Sequence, residues 1–167
     1  MSDKATQVYR VFIRSSAQAI WDAVTLPEWT SRYGYGSMAN YELRPGGRYY
    51  VEPNPAFRAR MLEDGHAMEG VIADGEVLEA DAPHRLVTTF RMPLTYVGEE
   101  AETRVTHEII DLGTGVCLLR LTHELDGAPE IAAVVGGVKD APNAGGGHAW
   151  VLCDLKSLLE TGAVMAT

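Results

Sequence analysis

Two histidines occupy comparable places in adjoining stretches of alternating sequence. Side chains in a strand point to opposite faces in turn, so Val105, His107 and Ile109 share one face of the stretch Thr103 to Ile110. Cys117, Leu119, Leu121 and His123 share one face of the stretch Val116 to Glu124. An imidazole has an unperturbed pKa of about 6.5, and on an apolar face it can act as a general base or orient a ligand carbonyl. The same positions suit hydrogen-bonded core or rim histidines, His123 more so because it lies near a strand end. Arg10 and Arg120 stand among apolar neighbours. Facing inward, either could hold a carboxylate or phenolate through its planar fork of donors; facing outward, it is solvated. Trp29, Tyr33, Tyr35 and Tyr49 bring indole and phenol donors that suit flat aromatic or polyketide-like ligands, and aromatic residues also simply fill cores. His148 and Trp150 stand at the start of the last apolar helix, as a cap neighbour and a packing anchor.

Other catalytic patterns fail on inspection. There is no GxSxG elbow and no glycine-rich phosphate loop ending in Lys-Ser or Lys-Thr. Gly145-Gly-Gly147 precedes a helix as an anion nest does, but it lacks a preceding strand and reads better as a hinge. Glu63, Asp64, Glu69, Glu76 and Glu79 are scattered without pairing. No CxxC or HExxH spacing exists for a metal. Cys117 and Cys153 each fall in an apolar periodic segment and read as small buried side chains of a reducing compartment.

The elements that must position these groups can be read in order. Val8 to Arg14 is an opening strand. Ser15-Ser-Ala-Gln18 has the form of a capping box, and Ala17, Ile20, Trp21 and Val24 then mark one helical face that ends before Pro27. Pro27 to Tyr33 is a second short helix closed by Gly34. Residues 40 to 124 shift towards a period of two, with turns at Pro45-Gly46-Gly47, Asp64-Gly65, Asp74-Gly75, Asp81-Ala-Pro83 and Asp111 to Gly115, giving an antiparallel meander of about six strands. Segment 52 to 62, with two prolines, reads as a loop. Asp126 to Lys139 holds a short helix, and the glycines that follow could gate a cavity. His148 to Glu160 is the strongest helix, with Val151, Leu155 and Leu158 in a stripe widened by Leu152 and Leu159.

The 167 residues, 46% hydrophobic and 22% charged, fit one globular domain, expected over residues 6–162 with tails at 1–5 and 163–167. A formal charge of −9 repels phosphate backbones and anionic lipid. No apolar run approaches the roughly 18 residues of a membrane span, and no signal sequence opens the chain. A cytoplasmic protein that binds neither nucleic acid nor membrane is expected.

The order of elements, with Arg10-Val-Phe, Ala19-Ile-Trp-Asp-Ala-Val-Thr, Leu26-Pro-Glu-Trp, Leu43-Arg-Pro-Gly-Gly, Gly75-Glu-Val-Leu-Glu, His84-Arg-Leu-Val-Thr-Thr-Phe, Leu119-Arg-Leu-Thr-His, Trp150 and Leu155-Lys-Ser-Leu-Leu-Glu, resembles the stand-alone bacterial members of the activator of heat-shock-protein ATPase homologue-like (AHSA-like) family. That family lies within the START-like, pollen-allergen-like SRPBCC superfamily. The resemblance spans roughly residues 6–162. It implies an α+β helix-grip fold, β-α-α-β(about 6)-α, in which a curved antiparallel sheet wraps a long C-terminal helix around an internal cavity. Three departures touch the cavity mouth. Tyr33-Gly-Tyr-Gly replaces a Trp-Trp-Gly-like cluster, Leu26 replaces an Asp, and Val51 to Ala73 is longer or differently composed.

The resemblance implies binding of a small apolar molecule, aromatic or lipid-like, without a cofactor or metal. The candidate contacts are Trp29, Tyr33, Tyr35, Tyr49, Phe90, His107, Leu119, Leu121, His123, Trp150, Val151 and Leu155. Two other functions stay open: a cofactor-free cyclase or hydrolase acting on a polyketide-like substrate with His107 as base, and a stress-response role beside a chaperone ATPase. The chaperone role is the less expected, since the activators that name the family carry an N-terminal domain not seen in this sequence. Homodimerisation is open as well.

Overall fold

A computed structural model describes residues 5–65, 70–137 and 146–165. The elements run β1 (Thr6–Ile13), α1 (Ala17–Thr25), α2 (Pro27–Thr30), β2 (Ser37–Tyr41), β3 (Arg48–Pro53), α3 (Pro55–Glu63), β4 (Ala73–Asp81), β5 (Arg85–Phe90), α4 (Leu94–Val97), β6 (Thr103–Asp111), β7 (Cys117–Glu124), α5 (Pro129–Val135) and α6 (Gly147–Thr161). The seven strands form one antiparallel sheet in the order β1-β7-β6-β5-β4-β3-β2, curled into a half-barrel around α6. This is the helix-grip fold.

Each strand of the last hairpin buries the face that alternation assigns to it. Val105, Ile109, Cys117, Leu119, Leu121 and His123 are buried and pack with Ile20, Trp21, Leu152, Leu155 and Leu158 of the helices or support that core. The opposite face carries charge. Arg120 Nε meets Glu108 Oε2 at 2.8 Å and Arg85 Nη1 meets Glu108 Oε1 at 3.0 Å. Arg120 therefore points away from the cavity, and Arg10, its register partner across β1 and β7, is exposed. Neither arginine can hold a ligand inside.

Several boundaries differ from the sequence reading for local reasons. α1 is capped by Ser16, whose hydroxyl accepts from Ala19 N at 3.1 Å, while Gln18 binds Asp22 and so does not complete a capping box. α2 ends three residues early, because Tyr33 turns inward to donate to the Ala23 carbonyl at 2.8 Å. The expected loop at 52–62 contains α3. Pro55 sits at its first turn, where no backbone donor is needed, and Asn54 caps it by accepting from Phe57 N. α3 has no fully buried residue, which is why no apolar period announced it. α5 begins at Pro129 with no side-chain cap, so Asp126 does not start it. Lys139, Glu69 and Gly145 lie outside the described residues, as does much of the proposed gate. Cys117 is buried, but Cys153 is exposed on the outer side of α6. Among the described residues no helix is long and apolar enough to cross a membrane.

Candidate functional site

Between the concave sheet and α6 lies a chamber of about 240 Å³, joined to an outer vestibule of about 240 Å³. Tyr35, Ser37, Ile72, Met92, His148 and Val151 line both compartments. The chamber reaches inward to Tyr33, Tyr49, Phe90, His107, Leu121 and Leu155. The vestibule is completed by Phe57 and Met61 of α3, Tyr96 of α4, and Val134 and Val135 of α5. Among the described residues no charged side chain lines either compartment.

Of the residues expected from sequence, Tyr33, Tyr35, Tyr49, Phe90, His107, Leu121, Val151 and Leu155 converge on this wall. Four stand off it. Trp29 is half-buried on α2 with the Arg32 guanidinium 4.7 Å from its ring. Leu119 is wholly buried in solid core, one alternation down β7 from Leu121. His123 is also wholly buried, behind His148. Trp150 lies on another side of α6 from the Val151 and Leu155 positions.

Hydrogen bonds fix the polar part of the site. Tyr41 and Tyr49 stack with centroids 4.6 Å apart, and their hydroxyls share a hydrogen bond. Burial raises both phenols, Tyr41 to about 12. Tyr33 is likewise raised by burial, so the chamber's phenols are neutral donors at physiological pH. Burial also drives the imidazoles to their neutral forms, with His107 lowered to about 4 and His123 to about 4. His148 is lowered to about 3, by burial first and then by His123 and His107. The Nδ1 of His107 is buried without a hydrogen-bond partner among the described residues.

Sequence reasoning treated His148 as a cap neighbour, yet it lines both compartments and bonds to His123 at 3.0 Å. The signal was present: positions 148, 151, 152 and 155 fall on one helical face. What brings His148 down is Gly147. A Cβ there would sit 2.0 Å from the Val135 carbonyl oxygen, and φ is +50°. Only glycine lets α6 start so close to α5. The Gly147 N–H goes to the Tyr35 hydroxyl at 3.1 Å, so it is not available to a nest for an anion. Phe57, Met61, Ile72 and Met92 were also missed, since they come from α3 and connecting segments without apolar periodicity. Among the described residues, no three of His, Cys, Asp and Glu are grouped to hold a metal ion.

The family model described as Activator of Hsp90 ATPase homolog 1-like protein matches residues 14–160. The chain belongs to this family. Solved structures agree with its fold. The protein encoded by BPP1335 from Bordetella parapertussis is 19% identical at a TM-score of 0.67, over 98% of this chain and 79% of that one. An HSP90 activator from Plasmodium falciparum is 20% identical at 0.55, over 80% and 87%. DynU16, from the dynemicin biosynthetic locus, is 16% identical at 0.62, over 95% of this chain and 48% of that one. At these identities the likeness is one of fold. No curated protein matches the chain.

The AHSA-like stretch Leu43-Arg-Pro-Gly-Gly forms the turn between β2 and β3. There Gly46 N–H and the Gly47 carbonyl both pair with Val77 of β4, at 2.8 Å each. A Cβ at Gly47 would meet the Glu42 carbonyl at 2.0 Å. The segment Val51 to Ala73 supplies α3 and its vestibule residues.

Proposed function

We propose that the protein binds one small, uncharged, largely apolar molecule, aromatic or lipid-like, in the chamber and vestibule. The carrying observation is the wall itself: two joined compartments of about 240 Å³ each, with no charged side chain among the described residues that line them. Together they fall within the roughly 300–1,000 Å³ of small-molecule sites, which are mostly apolar with a few placed polar groups. The position of DynU16 in a biosynthetic locus is in keeping with a small-molecule ligand. A carboxylate entering this space loses its hydration without meeting a cation among the described residues.

Titration with N-phenyl-1-naphthylamine, a neutral apolar fluorophore, tests the reading. Saturable binding at one site per folded chain is expected. A titration without saturation refutes it.

A second reading, a cofactor-free cyclase or hydrolase acting on a polyketide-like substrate, draws on His107 in the chamber wall. A general base works best with a pKa near the working pH. At about 4, His107 is unprotonated but a poor proton acceptor, which favours binding over turnover. A chaperone-associated stress role draws only on the family's description and on the fold shared with the Plasmodium activator.

A further inference from the structure

The contacts of Thr103 assign a tautomer to each of the two linked histidines. The Thr103 hydroxyl donates to the Phe90 carbonyl at 3.0 Å. A hydroxyl has one proton, so the 2.7 Å contact between Thr103 Oγ1 and His123 Nε2 is made by a proton on Nε2. A neutral imidazole carries one N–H, so His123 Nδ1 is a lone pair. The 3.0 Å contact between His123 Nδ1 and His148 Nε2 is then made by the His148 Nε2 proton. This leaves Nδ1 of His148 as an acceptor. The chain ends on a peptide carbonyl, which has no proton to give and accepts the Thr103 hydroxyl proton.

Packing holds both rings in place: Tyr9 lies edge-on to His148 at 5.5 Å, and Phe90 lies edge-on to His123 at 5.2 Å. His148 Nδ1 has no hydrogen bond within the described residues, and its ring lines both compartments.

We propose that this cavity selects an uncharged ligand carrying a hydroxyl or N–H donor, which meets His148 Nδ1, with Thr103 and His123 as positioning residues that fix the acceptor tautomer. The proposal rests on the binding reading above. A ligand ending in an ether or a ketone would set lone pair against lone pair, and a carboxylate would add the cost of an unpaired charge.

Calorimetric titration with 1-naphthol, 1-methoxynaphthalene and 1-naphthoate separates the cases. The hydroxyl probe is expected to bind about five- to tenfold tighter than its methyl ether, the worth of one hydrogen bond, and the carboxylate weakest. His148→Phe keeps a ring in place and is expected to bring naphthol and its ether to equal affinity. Thr103→Val, at a residue off the cavity wall, is expected to narrow the preference without weakening the ether. A purely structural role would shift all probes alike. Equal affinities in the native protein, or a preference that survives His148→Phe, overturns the selection while leaving the binding reading intact. Failure of all three probes to bind the folded protein overturns both. Long-range proton–nitrogen NMR correlations on the native chain read the tautomers directly, whatever the fate of the variants, and a proton on Nδ1 of His148 overturns the proposal.

Discussion

Replacing His107 with Phe is expected to leave the protein at least as stable at pH 7 and clearly more stable at pH 5. In the native fold Nδ1 is buried without a partner, and an unsatisfied buried polar atom costs about 1–3 kcal/mol. Phenylalanine has a ring of similar shape and no such atom. The pH term adds to this. Burial lowers His107 from 6.5 to about 4, so between those values the unfolded chain binds a proton that the folded chain does not. The contribution of a neutral His107 is therefore complete above pH 6.5 and is lost as pH falls from there, levelling off below the folded value. At pH 5 the loss is 1.5 pH units at about 1.4 kcal/mol each, or about 2 kcal/mol. The variant has no such loss. Urea unfolding of both proteins at pH 7 and pH 5 should show the gap between them widening by about 2 kcal/mol on acidification, with unchanged m. A variant less stable at pH 7, or a gap that stays constant, would mean that the imidazole has a partner or titrates at its ordinary value, and the reasoning would fall.

Three further substitutions probe the wall and its supports. Leu121→Trp points into the chamber and is expected to abolish binding of the neutral fluorophore at little cost in melting temperature. Leu119→Trp, one alternation away in solid core, is expected to destabilise by about 1–3 kcal/mol through overpacking; the reverse pattern would misplace the cavity. Asp154 is buried on α6 and accepts from Gly34 N and Met165 N, each at 2.7 Å. Asp154→Ala leaves those amides unpaired, and a loss of about 2–4 kcal/mol in urea unfolding is expected.

Alternation along β6 and β7 was enough to set His107 on one face with Val105 and Ile109, and His123 on one face with Leu119 and Leu121; the structure shows that these are the faces turned to the core. The same rule left the two arginines open, because Arg10 and Arg120 stand in runs with apolar residues on both faces. β1 shows why: Val8 and Phe12 are over half exposed on its outer side. The 3.6 period of α6 sets Leu155 and His148 on one face of the helix. α3 was hidden because a helix held mainly by its Asn54 cap buries too little to leave a stripe.

The sequence by itself determined the order of the first strand, the two short helices, the meander and the last helix, the residues that share a face in the last hairpin, and the glycine turns, because these follow from local sterics and from the period of apolar residues along a single element. Only the tertiary structure decided that Leu121 borders empty space while Leu119 does not, that Glu108 draws Arg120 outward, and that Thr103, His123 and His148 form one hydrogen-bonded line. Those outcomes depend on distances between segments up to 45 positions apart in sequence. A cavity is volume that several elements fail to fill together, and no one of them carries its trace.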